Sequence, residues 1–239
     1  MDRQHRYDLK HDRFVDEIGA LSSKARANQR LLLTIAAGAV LIALVAFGVY
    51  FYRSTREDNA QQALAEAIDT IEAPVDQPGQ PAPKTGPHFK TNEERNAAAE
   101  KLFKDVQAKY SGTNAADLAE LFLARITVAR GDSAGGRKML ESFIDDHKKS
   151  ILVGGARYSL YQLRIDNGEA AQVTVELNAE MAKADPVLPG DSILSLLAHA
   201  YEVQGNPAKE REAYRRIANE FPDSPYAVDA QRRAGMGPA

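Results

Sequence analysis

The sequence predicts an all-α protein, with one N-terminal transmembrane helix followed by a solenoid of helical hairpins. Three observations predict it. Residues 31–52 run for 22 positions without a charge. Beyond them, glycines recur every 37 residues in phase with columns of apolar residues. Finally, no segment shows the sustained period-2 alternation or the clustered β-branched residues of strands.

The uncharged run reads LLLTIAAGAVLIALVAFGVYFY. At a rise of 1.5 Å per residue it spans about 33 Å as a helix, enough for a hydrocarbon core of about 30 Å. Arg30 and Arg53 bracket it, and Tyr50 and Tyr52 stand where an aromatic belt belongs. A peripheral amphipathic helix needs a polar face, which this run lacks. A cleaved signal has a shorter apolar core and a small-residue cleavage site, and no such site follows Tyr52. Arg13, Lys24, Arg26 and Arg30 precede the run within 20 residues, against Arg53 and Arg56 in the 20 that follow. That asymmetry predicts a cytoplasmic N-terminus and an external soluble domain. Upstream, Phe14, Val15, Ile18 and Leu21 fall at helical spacing. They suit either an amphipathic helix within the tail, residues 1–30, or an extension of the span.

Residues 57–72 (EDNAQQALAEAIDTIE) place Ala63, Leu64, Ala67, Ile68 and Ile71 on one helical face. Residues 74–87 hold five prolines and two glycines, so a Pro-rich loop is expected over 74–90. Thr91 and Glu94 then form a capping-box pattern that restarts helix.

The repeat begins there. Gly131, Gly168 and Gly205 are 37 apart, as are Phe103, Leu140, Leu177 and Tyr214. Leu123, Leu160 and Leu197 form another column; Ala119, Ala156, Ile193 and Ala230 a fourth; Tyr110, His147, Ala184 and Phe221 a looser fifth. Each unit reads helix, turn at glycine, helix, longer loop. The glycine supplies a left-handed residue at the end of the first helix. Asp132, and Asn206 followed by Pro207, are helix-start signals, as are Asn114 with Asp117, and Ser224 with Pro225. Counting back by 37 from Gly131 places the first unit's opening helix inside the proline loop. The first unit is therefore expected to be split, with 57–72 as its first helix and 92–110 as its second. A short capping helix is expected over 225–233, and the repeat domain as a whole over 57–235.

Chemistry is sparse. Without cysteine the chain has no disulfide, thiolate nucleophile or thiolate metal site. The five histidines show no metal-ligand spacing. His147 belongs to a packing column, and His199 lies on a first helix. The Gly135–Gly136 and Gly154–Gly155 pairs lack the flanking strand and Lys-Ser/Thr of a phosphate loop, so close helix packing or an eased helix start is expected instead. Arg130-Gly131-Asp132 is explained by the repeat turn. No catalytic residue, metal or cofactor is expected, and the chain does not read as an enzyme. From residue 57 onward, 21 Lys/Arg against 28 Asp/Glu give −7, which argues against nucleic-acid binding.

These columns resemble the tetratricopeptide repeat. In the third unit Leu197, Ala198, Tyr201, Gly205, Tyr214 and Pro222 fall on that family's signature positions. Other units depart from it: Thr127 and Arg164 replace the first-helix tyrosine, and Gly136, Val173 and Glu210 replace the small alanine of the second helix. The period exceeds the family's 34 by three residues, an excess expected in the loops between units. The resemblance implies a protein-binding groove lined by first helices. It carries over to Leu121, Arg125 and Val128, then Tyr158, Gln162 and Ile165, then Ser195, His199 and Glu202.

The layout is also similar to that of the single-span ancillary subunits of the Sec translocon, with a short tail, one span, an Ala-rich helix and repeats ending in FPDSPYA at 221–227. That likeness implies a bacterial inner-membrane protein with a periplasmic repeat domain, acting as an adaptor or chaperone-like subunit. Its partners would be translocon subunits, exported polypeptides or other envelope proteins, besides the lipid bilayer around 31–52. FPDSPYA occurs as well in outer-membrane assembly lipoproteins and the TolA-binding cell-division coordinator, which carry a lipidated cysteine or a cleaved signal in place of this anchor. A scaffold in envelope assembly or division, or an accessory subunit of a membrane enzyme complex, is the alternative.

Overall fold

In the computed structural model, residues 29–76 and 86–236 are described, and all of their regular structure is helical. The helix proposed around Phe14–Leu21, the proline-rich residues 77–85 and the last three residues lie outside that description. The chain divides into two compact units at the Arg56/Glu57 bond.

Helix α1 (Gln29–Glu72) carries both the uncharged run and the Ala-rich segment after it, because residues 53–56 contain neither glycine nor proline to break it. Its apolar stretch reaches a mean hydropathy of 2.3 over 18 residues, none of them buried. By length and composition this helix can cross a membrane.

The second unit continues with α2 (Asn92–Lys109), α3 (Asn114–Ala129), α4 (Ser133–Asp146), α5 (Val153–Arg164), α6 (Ala170–Met181), α7 (Gly190–Val203), α8 (Pro207–Glu220) and α9 (Ala227–Arg233). Between α1 and α2 the base of the proline loop is pinched. The Asp76 N–H donates to the Phe89 carbonyl (2.8 Å), and the Phe89 N–H to that of Pro74 (3.2 Å).

Local chemistry explains the boundaries. Thr91 caps α2 by accepting from the Glu94 N–H at 3.1 Å, while Glu94 Oε2 accepts from Lys90 N–H. Asp132 and Asn206 cap α4 and α8 through the N–H groups of Gly135 (2.8 Å) and Lys209 (3.2 Å). Two start signals are displaced. Thr113, one residue before Asn114, caps α3 by accepting from Ala116 N–H (3.2 Å). Ser224 closes a turn ahead of α9: its carbonyl accepts from Ala227 N–H (3.0 Å), its hydroxyl accepts from Tyr226 N–H (3.1 Å) and donates to Asp191 Oδ2 (2.7 Å), and the helix begins at Ala227.

Gly131, Gly168 and Gly205 adopt φ of 90°, 90° and 68°. At the first, the Gly131 N–H donates to Val128 (2.8 Å) and the Asp132 N–H to Thr127 (3.2 Å); Gly205 and Asn206 repeat the pattern on Glu202 and Tyr201. This double closure satisfies helix-terminal carbonyls and reverses the chain. The middle reversal breaks at the same repeat position: helical backbone runs through Ile165, and Asn167 and Gly168 leave helical space before α6. Connections between units, at 147–152, 182–189 and 221–226, are longer than these turns.

The apolar columns form the core in three clusters. Ala60, Leu64 and Ala67 of α1 pack with Ala99, Phe103 and Val106 of α2 and with Ala115, Ala119, Leu123 and Ile126 of α3. The first unit is therefore built from α1 and α2 on either side of the proline loop. Ala124, Leu140, Phe143, Ile144, Val153, Ala156 and Leu163 form the second cluster. The third gathers Ile165, Val173, Leu177, Ile193, Leu197, Ile217 and Ala230 among others. Met139 touches both the first and the second. Each helix pair thus buries its apolar face against its neighbours along the chain.

Gly136 shows how closely α3 and α4 approach. A Cβ there would stand 2.2 Å from Val128 Cγ2 and 3.1 Å from the Ala124 carbonyl oxygen. Gly136→Ala gains helix propensity of about 1 kcal/mol but must displace a stiff β-branched side chain against backbone, an overpacking cost of about 1–3 kcal/mol. The net is expected to be destabilising, read as a lower urea midpoint; an unchanged or raised midpoint would show that Val128 gives way freely. Gly154 and Gly155 have open space at the corresponding position, at the start of α5.

Candidate functional site

The first helices α3 and α5 face one another across a groove of about 570 Å³. On α3 the lining residues are Leu118, Leu121, Phe122, Arg125, Val128 and Ala129, spaced three or four apart, so one stripe of the helix faces the opening. On α5 they are Tyr158, Ser159, Gln162 and Leu163, followed by Asp166 in the turn; Leu140 of α4 and Ala124 lie beneath. The walls are mostly apolar, with a guanidinium on one side and a phenol, an amide and a carboxylate on the other.

Packing behind the groove fixes these side chains. Phe122 stacks on the fully buried Phe103, with ring centroids 4.7 Å apart and planes within 5°. Val128 is held over Gly136. Tyr158 is half-buried, its hydroxyl 3.4 Å from Ser195 Oγ, and burial pushes its phenol above the usual tyrosine range. Asp166 Oδ1 stands 2.7 Å from His199 Nε2, and His199 Nδ1 is 3.7 Å from Glu202 Oε2. Ser195 and His199 both belong to α7, so the third unit braces the far side of the groove.

Five of the nine residues proposed from the sequence therefore line this groove: Leu121, Arg125, Val128, Tyr158 and Gln162. Ser195 and His199 support it from behind, through Tyr158 and Asp166. Glu202 is exposed beside His199 and lies 3.8 Å from Arg233. Ile165 does not line the groove: still on helical backbone at the end of α5, it is fully buried in the third cluster, against which Tyr158 and Tyr161 also pack. Leu118, Phe122 and Asp166 were missed. Leu118 lies one turn before Leu121 and Phe122, and Asp166 one turn after Gln162 and Leu163, spacings visible in the sequence.

A second cleft of about 780 Å³ shares Tyr158 and Ser159 and continues past Ile151, Val187, Leu188 and Tyr226. Elsewhere the polar side chains serve structure. His147 stacks on Phe143 at 4.5 Å, with its Nδ1 3.3 Å from Asp117. Glu180 accepts from Lys183 Nζ (2.5 Å) and Val187 N–H (2.6 Å), stapling the 182–189 loop, and these bonds hold its carboxyl below the usual range. Arg164 donates to Glu169 Oε2 (2.8 Å) and, through both terminal nitrogens, to Glu176 (2.7 and 2.8 Å), while Arg137 of α4 reaches Glu169 (2.5 Å). Among the described residues no cluster of three or more His, Asp or Glu has a metal-binding arrangement.

Stacked helical hairpins with an open, mixed-polarity groove along their first helices define a repeat protein of the protein-binding kind. The family can be stated more closely: the tetratricopeptide repeat-like domain matches residues 29–224, and the chain belongs to that family. Its fold is that of an interaction adaptor, with other proteins as its general class of partner. No curated protein matches the chain. Among solved structures, it is similar to nearly identical TPR-like repeats of a protein described as a kinesin light chain, from Podosopora anserina. The identity is 18%, with 59% of this chain and 76% of that one covered, at a TM-score of 0.44.

Proposed function

We propose that this protein is a single-span, membrane-anchored adaptor whose groove between α3 and α5 holds an extended or helical segment of a partner protein. The groove carries the reading. It is open and mostly apolar, with Arg125, Tyr158, Gln162 and Asp166 among its polar groups, and it is lined by the helices that face ligands in stacks of this kind. The uncharged run of α1 supports insertion in a bilayer, and the excess of Lys/Arg before it supports an external repeat domain. The layout shared with the ancillary subunits of the Sec translocon extends the reading. The protein is then a bacterial inner-membrane subunit that accompanies exported polypeptides on the periplasmic side, without catalytic activity of its own.

Photocrosslinking in cells from positions 158 and 199 tests this. Adducts with translocon subunits or newly exported chains are expected. Adducts confined to envelope-assembly or division proteins would replace the translocon assignment with a scaffold, and no protein adduct from either position would remove the groove from consideration. On spheroplasts, added protease should digest the repeat domain; full protection would reverse the orientation.

A further inference from the structure

We propose that the Asn167–Gly168 peptide is a site of spontaneous modification, where deamidation of Asn167 turns the middle reversal into a looser, more acidic junction. The bond is the single Asn-Gly of the 239 residues. The other two repeat turns present Arg130 and Gln204 before their glycines. Arginine has no carboxamide. That of Gln204 would need a six-membered ring, and it is held by the Ala170 carbonyl (3.2 Å) and Thr174 Oγ1 (2.8 Å). Asn167 and Gly168 are both exposed, and the Asn167 side chain has no hydrogen-bond partner among the described residues.

In the reaction the Gly168 backbone nitrogen attacks Asn167 Cγ, and the lack of a Cβ on glycine leaves that approach open. The N–H proton passes to solvent, the Cγ–Nδ2 bond breaks and ammonia leaves, closing a five-membered imide. Water then opens the imide. Cleavage at Cγ gives aspartate, and cleavage at the main-chain carbonyl gives isoaspartate, whose peptide runs through the side chain. The turn sets the rate: Asn167 sits at ψ 15°, which directs the Gly168 nitrogen away from Cγ, so cyclisation proceeds through local opening of the reversal. The product matters because this reversal is strapped from both sides. Glu169 accepts from Arg137 of α4 (2.5 Å) and from Arg164 (2.8 Å), while Asp166 Oδ1 stands 2.7 Å from His199 Nε2 of α7. Aspartate at 167 adds a carboxylate between these two acidic residues, at the C-terminal end of α5 where negative charge is disfavoured. Isoaspartate inserts an extra backbone carbon between them, so the two straps no longer both keep their spacing.

The test ages the full-length chain in mild detergent at mildly alkaline pH, beside a sample in urea, and reads the tryptic peptide 165–183 by tandem mass spectrometry. Residue 167 should gain one mass unit and become a substrate for an isoaspartyl methyltransferase. Asn178 of the same peptide, whose amide donates to the Thr174 carbonyl at 2.7 Å on α6, should stay intact. Conversion in urea should be faster by about tenfold or more, the factor that a modest opening cost implies. Amide exchange over 164–170 in the aged chain should exceed that of equally aged Asn167→Gln, which closes no five-membered ring. An unmodified residue 167 in the folded chain after the urea sample has converted, or equal conversion of Asn178, overturns the site. Equal rates with and without urea overturn the opening step. Exchange in a converted sample that matches N167Q overturns the loosening.

Discussion

Replacing Phe103 with alanine is expected to cost about 3–5 kcal/mol, the range for removing a buried aromatic ring whose site cannot fully collapse. The ring is fully buried at the meeting of α1, α2 and α3, in the cluster that joins the two halves of the split first unit. It also backs Phe122, which lines the groove. The loss should therefore have two readouts. The urea midpoint of the full-length chain falls, and amide exchange rises first in α2 and α3, while α7 and α8 in the separate third cluster hold longer. Phe103→Leu, which retains much of the volume, should cost about 1–1.5 kcal/mol. A loss below that in the alanine variant, or exchange that rises equally throughout, would show that the first cluster is not a distinct cooperative element.

The second large effect is expected at Arg164, which stands where the repeat pattern favours tyrosine. Its side chain is about 10% exposed and shares three charged hydrogen bonds with Glu169 and Glu176. Removing one partner of a buried pair costs about 3–5 kcal/mol. Here Glu176 is 34% exposed and can turn to water, which brings the expectation for Arg164→Met down to about 2 kcal/mol. The double change R164M/E176Q should recover part of that loss, since it leaves no orphaned charge.

The same pair gives a pH signature. Arg164 holds the Glu176 and Glu169 carboxyls below their usual range, chiefly by hydrogen bonding. A folded-state value below the unfolded one means that the unfolded chain takes up its proton first as pH falls. The stabilisation is therefore complete above the ordinary glutamate value of 4.5 and is lost as pH drops through the lowered folded values. Stability of the wild type should decline more steeply than that of R164M below about pH 4.5. Parallel curves would show that the pair contributes nothing to the linkage.

The repeat was legible because its chemistry is local. A glycine needed at positive φ, and a small or apolar residue needed in the core, recur at fixed spacing whatever surrounds them. Gly131, Gly168 and Gly205, and the buried column of Ala119, Ala156, Ile193 and Ala230, are read directly from the sequence. The groove was legible in part, since five of its lining residues are among those that the repeat resemblance carries onto α3 and α5. What escaped depends on geometry between elements. Ile165 is covered because the third cluster packs over the end of α5, a contact between units that local sequence does not announce. The starts of α3 and α9 differ from the expected signals because Thr113 takes the capping bond from Ala116 N–H, and because Ser224 accepts from Tyr226 and Ala227 in a turn ahead of the helix.

The pinched base at Asp76 and Phe89 makes the first unit a natural insertion port. Two backbone hydrogen bonds fix the ends of the proline-rich stretch beside a core that neither end interrupts. For a loop whose ends are already fixed, doubling its length adds only about 0.6 kcal/mol of closure cost. Cargo of quite different size, such as a reporter domain or a recognition tag, can therefore be carried at this point without altering the register of the repeats that follow.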